Sequence, residues 1–401
     1  VTGGENGVEM RKAVLTAPLS LDGQSGADYR APNVVQRVLS LFKNVLPGSD
    51  LTHFQATLTP FLFHLFTRTR LSPLFNIPKS QLQCFGESVY CVQSDMLSKC
   101  ANADTPLDRF TSVVAWSISI SRPVIFGVAP YNPVLGETHH VSRGSFNVLL
   151  EQISHHPPVS ALHATDESKN IELIWCQRPV PKFHGTGVEV EVHGKKELKL
   201  LTHVETYVMD SPKLFIRFVP VPGADWIGNV RIRCEETGIE AELCYRTSSF
   251  LGFGGNQRSV KGRIFLSSSP KKTIYEINGH WDRTVSMKDT STGKVTVIYN
   301  ANAVISNLKT PVVGDPEGVW STESTVVWSE VSQGILSKNW DKARIAKKIV
   351  EEKERELLRE RQSKGEAWVP KHFFVPNTKE GGWECSPIHK WVPPAPIVVP
   401  I

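Results

Sequence analysis

Nowhere does this chain of 401 residues offer the roughly 18 consecutive apolar residues that a membrane-crossing helix needs. Its best stretch, Val113 to Ala129, is interrupted by Arg122 and Pro123, and the apolar run at 57–66 is short and holds Pro60 and His64. Membrane contact is therefore expected to be peripheral. The opening VTGGENGVEMRK lacks the apolar centre of a secretory signal, and it begins with Val1, which reads as a fragment or a clipped chain. Seven cysteines (Cys84, Cys91, Cys100, Cys176, Cys234, Cys244 and Cys385) are an odd number, and no two have the CxxC spacing of a zinc or redox motif. Reduced thiols in a cytoplasmic protein are the plain expectation. There is no HExxH and no GxSxG, and Gly252-Phe253-Gly254-Gly255 fits neither a Walker loop nor GxGxxG. No Lys/Arg-rich tract is present. The formal charge of +5 is too small to argue for nucleic acid, though it favours visits to an anionic membrane surface. No repeat of solenoid period is found.

What is present reads as a folded chain. Apolar residues make up 40% and charged residues 21%, ordinary for a globular protein, and the length suits one large domain with appendages or two domains. Residues 1–30 are polar and glycine-rich and read as a flexible arm. Asn33 can cap a short amphipathic helix over about 33–46, with Val35, Val38, Leu39 and Phe42 on its apolar face and Pro47-Gly48 ending it. Following a flexible arm, this helix either packs against the core or serves as a lid or membrane-touching helix. Between about 145 and 305 the chain breaks into short β-rich runs, many alternating apolar with polar, separated by turns such as His193-Gly194-Lys195, Glu236-Thr237-Gly238 and Ser291-Thr292-Gly293. No long helix intervenes, so the pattern predicts an antiparallel meander rather than βαβ units. So many strands must curl to protect their edges, and a wide barrel leaves room for a ligand. From about 323 to 365 the chain turns helical: residues 341–361 hold no Gly or Pro. After Gly365 an aromatic, Pro-rich tail with Trp368, Phe373, Phe374, Trp383 and Trp391, ending in the Pro-rich 392–401, is expected to wrap the body in extended form.

Two constellations could carry chemistry. In Glu151-Gln152-Ile153-Ser154-His155-His156-Pro157-Pro158, adjacent side chains on a regular strand point to opposite faces, so two histidines converge on one ligand only where the strand bends or ends. Pro157-Pro158 imposes such an end. Two imidazoles there could donate to a phosphate oxygen, and a bound anion would favour their charged forms. On pattern alone, a structural strand end is the commoner explanation of such a string. Lys347, Glu351 and Arg355, spaced by four, form one stripe of the C-terminal helix. The plainer reading is an exposed ion-pair ladder; the other is a basic clamp in which Glu351 holds both cations or accepts from ligand hydroxyls. A second pair, His139-His140, raises a metal reading, but no ligand spacing completes a site and no metal is expected.

EQISHHPPVSA at 151–161 closely resembles the EQVSHHPP signature of the oxysterol-binding-protein-related lipid carriers. Asn132-Pro133-Val134-Leu135-Gly136-Glu137 lies upstream where that family has a second string, and SKGEAWVPKHF at 363–373 resembles the family's ending. The resemblance runs over 31–391 and is greatest to the short plant members that lack a pleckstrin-homology domain. It implies a mainly β (α+β) fold: a large incomplete antiparallel barrel, about 110–305, around an apolar tunnel, with the N-terminal helix as a lid and a helical C-terminal region. It implies further that His155 and His156 grip the phosphates of phosphatidylinositol 4-phosphate and that Lys347, Glu351 and Arg355 contact the headgroup. Asn132, Pro133, Gly136, Glu137, Glu151, Gln152, Ser154, Pro157 and Pro158 complete the signature. Many members carry a lysine three residues before the Asn-Pro; here that position is Ala129, so the phosphate cage lacks one cation. Residues 56–72 have no recognised counterpart and are either a true insertion or a translated intron.

The expected function is lipid transfer without catalysis: a sterol held in the tunnel and exchanged for phosphatidylinositol 4-phosphate between membranes at a contact site, with no cofactor. The expected setting is the cytoplasm, with peripheral association to endoplasmic reticulum or other anionic membranes. An endoplasmic-reticulum docking protein is a further candidate partner, although no acidic docking tract is evident. The alternatives are a phosphoinositide sensor, a carrier of another phospholipid such as phosphatidylserine, and a metal-dependent lipid hydrolase.

Overall fold

The computed structural model describes residues 12–21, 72–92, 94–219, 221–247, 258–305, 308–376 and 384–401. The expected lid with Val35, Val38, Leu39 and Phe42, residues 56–71 of the candidate insertion, and Gly252–Gly255 lie outside these. A helical block leads. β1 (Asn76–Ser80) runs into α1 (Gln81–Tyr90), followed by α2 (Ser94–Asn102) and α3 (Pro106–Ser119). α3 starts where Thr105 accepts the N–H of Asp108 at 3.1 Å and Pro106 presets the first turn. β2 (Ala129–Tyr131) then pairs in parallel with β1.

The chain continues through β3 (Thr138–Arg143), β4 (Phe146–His155), β5 (Pro158–Asp166), β6 (Ile171–Phe183), β7 (Gly187–His193), β8 (Lys196–Leu200), β9 (Glu205–Met209) and β10 (Lys213–Arg217). Next come β11 (Gly223–Cys234), β12 (Ile239–Arg246), β13 (Ser259–Leu266), β14 (Thr273–His280), β15 (Thr284–Asp289) and β16 (Val295–Asn300). The C-terminal part holds α4 (Ala301–Ile305), β17 (Val312–Val313), α5 (Ser324–Val327), α6 (Ser329–Leu336), α7 (Trp340–Lys364), β18 (Phe373–Phe374), β19 (Ser386–Pro387) and β20 (Ile397–Val398). Among the described residues, sixteen strands form one sheet, in the order β16-β15-β14-β13-β12-β11-β10-β7-β6-β5-β4-β3-β20-β17, with β8 and β9 bridging β6 to β11. Every pairing in it is antiparallel except β20 with β3.

Alternation decides which face turns inward. In β12, Ile239, Ala241, Leu243 and Tyr245 are buried, while Glu240 and Glu242 face out and pair with Arg231 and Arg263 of the neighbouring strands. The inner faces of strands from both ends of the sheet join Leu82, Phe110, Val113, Val114, Trp116 and Ile118 of the helices in one apolar core. α1 packs on β3 and β4, and α3 packs on β16 and β12, so the sheet wraps the helical block between its two ends. The antiparallel meander and helical C-terminal region expected from the sequence are present, and Gly365, at a left-handed φ of 65°, closes α7. No described helix is long and apolar enough to cross a membrane.

Two expectations need correction. The strand region does not begin near 110: residues 106–119 are helix α3, and the large sheet begins at Thr138. The β-branched run around Val113-Val114 hides a helical spacing that only the capped start at Thr105-Pro106 exposes. The segment 1–30 is not a free arm throughout. At 12–21 it lies on the body, where Val14 N–H donates to Thr325 at 3.0 Å and the buried ammonium of Lys79 donates to the carbonyl of Thr16 at 3.2 Å. The tail 392–401 lies along the body in extended form, where β20 enters the large sheet beside β3 and Val399 N–H donates to Ser142 at 2.8 Å. Ile397 is fully buried there. Truncating this side chain, Ile397→Ala, is expected to cost about 2–4 kcal/mol in urea unfolding; an unchanged midpoint would show that the tail is dispensable.

Candidate functional site

The histidine string sits at the β4–β5 hairpin. Its register runs Gln152↔Ser160, then Ser154↔Val159 and His155↔Pro158, so Ile153 is an extra residue on its strand. Such a bulge bends the strand and re-aims the side chains beyond it. The two neighbouring rings then meet edge-on, with centroids 4.6 Å apart. His155 is half-buried and its Nδ1 lies 2.9 Å from the carbonyl of Pro133, a pairing that makes Nδ1 the donor; His156 is exposed. Burial, and then the neighbouring His156, pull His155 down to about 4, against the opposing bond to Pro133. His155 is therefore neutral at neutral pH.

The rest of the signature builds the frame. Gln152 accepts from Ser160 at 2.6 Å and donates to the carbonyl of Ser154 at 2.9 Å, which braces the bulge from within the hairpin. Glu151 is buried and accepts two backbone N–H groups from the C-terminal segment, Lys371 at 2.8 Å and His372 at 2.9 Å. Burial raises its pKa, and those two bonds oppose the rise. Glu137 is buried too. It accepts from Val134 N–H and Trp328 Nε1 at 2.9 Å each, from Ser324 at 2.6 Å, and from Ser80. Burial again raises its pKa. Gly136 has φ 76°, and a Cβ there would lie 2.6 Å from the ring of Trp368, so the turn needs glycine twice over. Asn132 is exposed, Pro133 is buried, and Pro158 opens β5.

The helical stripe reaches the same segment from the other side. Lys347 is 7% exposed and donates to Asn76 Oδ1 at 2.8 Å. Asn76 in turn donates to the carbonyls of Ala129 at 3.1 Å and Pro130 at 3.4 Å. Burial lowers Lys347 to about 8, with Glu351 acting the other way. Glu351 lies 3.9 Å from Lys347 and 3.8 Å from Arg355, contacts longer than hydrogen bonds. The ladder of the plainer reading is thus present and loose, but its Lys347 end is buried rather than exposed. Residues 129–133 connect the two constellations: His155 is anchored to Pro133, and Lys347 through Asn76 to Ala129 and Pro130. Ala129 itself is exposed and lends its carbonyl to Asn76. α7 also reaches the turn: burial raises the Glu354 carboxyl, and the backbone of Leu135 is among the groups that oppose the rise.

The family model described as oxysterol-binding protein matches residues 66–333. Oxysterol-binding protein-related protein 4B of Arabidopsis thaliana is 54% identical over 396 residues, 98% of this chain and 99% of that protein; protein 4C of the same plant is 52% identical, over 98% and 100%. The chain belongs to the oxysterol-binding protein family. Among solved structures, the ORD domain of Osh1 in complex with cholesterol superposes with a TM-score of 0.72 at 19% identity, covering 94% of this chain and 90% of that one. The ORD of Osh3 in complex with PI(4)P, from Saccharomyces cerevisiae, superposes with a TM-score of 0.67 at 21% identity, covering 94% and 93%. These likenesses establish the fold.

In this family member, several residues that shape the site carry no mark in the sequence. Asn76 stands in PLFNIPKSQ with nothing to single it out as the partner of Lys347. The other histidine pair is spoken for: His139 bonds Glu323 at 2.6 Å and Tyr90 at 3.1 Å, and His140 bonds the carbonyl of Pro393 at 2.9 Å. His140, Trp320 and His372 form a stack with centroids 5.1 and 4.9 Å apart, which packs the C-terminal segment onto the sheet. Among the described residues, no group of three or more His, Cys, Asp or Glu converges as a metal site would.

The electrostatics set a sign for anion binding. An anion at the histidine pair favours the charged form of His155, and one at Lys347 favours the ammonium, so both values rise from about 4 and about 8. Binding then takes up protons, and affinity strengthens as the pH falls from above the Lys347 value toward that of His155. Titrating a soluble inositol phosphate by calorimetry in buffers of different ionisation heat should reveal that uptake. Heats independent of buffer, with pH-independent affinity, would count against it.

Proposed function

We propose that this chain carries lipid between membranes, holding a sterol between the apolar inner face of the sheet and the helical block and exchanging it for phosphatidylinositol 4-phosphate. The observation that carries the reading is the placement of two anion-receptive groups, the His155-His156 hairpin and the buried Lys347, on one short segment, residues 129–133. A phosphoinositide would set its acyl chains against the apolar core and its phosphates at His155, His156, Lys347 and Arg355, with Glu351 orienting the two helix cations. The family relationship, and structural neighbours solved in complex with cholesterol and with PI(4)P, support both halves of the exchange.

Magnitudes are adequate. Covering ~300 Å² of apolar sterol surface at ~25 cal/mol per Å² amounts to several kcal/mol before the cost of association. On the headgroup side, Ala129 supplies no ammonium, so the phosphate relies on the helix cations and on His155, which becomes charged only when it arrives. No bond is made or broken in such a cycle, and it needs neither a catalytic group nor a cofactor. The expected setting is peripheral contact with anionic membranes, which the formal charge of +5 favours.

Transfer of a fluorescent sterol between liposomes, with and without phosphatidylinositol 4-phosphate in the acceptor, tests the exchange. The phosphoinositide should speed sterol transfer, and the double variant His155→Ala/His156→Ala should lose that response while still moving sterol. Sterol transfer indifferent to both lipid and variant would reduce the function to sterol carriage. No sterol transfer at all would point to a sensor or to another phospholipid.

A further inference from the structure

Behind the histidine hairpin, the sheet meets the C-terminal segment through a pair of thiols. Cys176 of β6 is buried beside its register partner Ala161, in an apolar cluster with Ile153, Val159 and Phe373. Half-buried Cys385 packs against the same cluster. Three contacts hold it there. Its Sγ lies 3.6 Å from the carbonyl of Trp175, the residue before Cys176. The neighbouring Glu384 pairs with Lys195 Nζ at 3.1 Å, and the carbonyl of Lys195 accepts the N–H of Cys176 at 3.0 Å. The thiols of Cys176 and Cys385, both free, lie in this one cluster, close enough for each to perturb the other.

We propose that Cys176 and Cys385 are a reversible disulfide pair that staples the C-terminal segment 384–401 to β6 under oxidising conditions. The oxidant is a low-molecular-weight disulfide such as glutathione disulfide. Cys385, the more accessible thiol, loses its proton and attacks one sulfur of the oxidant; the S–S bond breaks and one glutathione leaves as a thiol. Cys176 then attacks the Cys385 sulfur of the mixed disulfide and expels the second glutathione. Two cysteine thiols are oxidised, one disulfide is reduced, and both protons leave on glutathione. The neighbouring Cys176, and then burial, push the Cys385 thiol well above its ordinary range, so closure is slow at neutral pH and quickens as the pH rises.

The staple crosses the cluster in which Ile153 and Val159 root the histidine hairpin. Closing it therefore stiffens the wall on which His155 and His156 stand, whatever ligand they bind.

The test uses the full chain, incubated with glutathione disulfide at mildly alkaline pH. Remaining thiols are blocked with iodoacetamide, and the protein is digested without reduction and analysed by mass spectrometry. The expected product is a peptide pair joining Cys176 to Cys385, two hydrogens lighter than the separate peptides, lost on adding dithiothreitol. Half-buried Cys84 and Cys244 serve as reference thiols and should carry glutathione or iodoacetamide instead. Recovery of Cys176 and Cys385 as separate alkylated or glutathione-bearing peptides would overturn the proposal. Hydrogen exchange at 153–159 should slow in the oxidised chain and not in oxidised Cys385→Ser; equal exchange before and after closure would overturn the stiffening.

Discussion

The carboxylate of Glu137 lies out of water and is surrounded by donors from four parts of the chain: Ser80 at the start of α1, Val134 in its own turn, Ser324 in α5 and Trp328 at the start of α6. Burying a carboxylate is unfavourable unless its lone pairs are filled, and leaving a buried donor unpaired costs about 1–3 kcal/mol. The four contacts thus stand or fall together. They place the end of β1, the 129–137 segment and the C-terminal helices in one arrangement. Glu151 repeats the device across the sheet, gathering the N–H groups of Lys371 and His372. Together the two glutamates of the family strings hold the frame of the candidate site.

Within that frame the charges are held back. Lys347 keeps a reduced affinity for its proton because it is buried against Asn76, and His155 is neutral because it is buried beside a second imidazole. A rim of fully charged cations would bind any anion strongly and release it slowly. His155, which gains charge only as an anion arrives, makes part of the binding conditional on a phosphate that can supply the compensation. That property suits a carrier, which has to let go. The absence of a lysine at 129 moves the balance further the same way.

Much of the fold was legible because strand alternation and turn residues are local signals. The meander between 145 and 305 shows period two in runs such as IEAELCYR, and Gly194, Gly238 and Gly293 stand at positive φ between strands. The C-terminal helix is equally plain, being free of Gly and Pro until Gly365. Other features depended on long-range packing. α3 carries a β-branched run that propensity assigns to strand, and its cap at Thr105 is a weaker signal than the run itself. β20 is a short extended piece that becomes a strand only because β3 offers it an edge. Of the candidate site, the histidine pair and helix stripe could be named from spacing and resemblance. Their link through Asn76 and Pro133 could not, because a single asparagine and a proline carbonyl carry no pattern in sequence.

The central claim is that a phosphoinositide headgroup bridges the histidine hairpin and Lys347 across residues 129–133. A crystal structure of the chain with a short-chain phosphatidylinositol 4-phosphate tests it most directly. The account predicts phosphate oxygens within hydrogen-bond reach of His155 or His156 and of Lys347 Nζ, with Lys347 drawn off Asn76. A headgroup bound elsewhere, with Lys347 still on Asn76 and His155 still on Pro133, would contradict it.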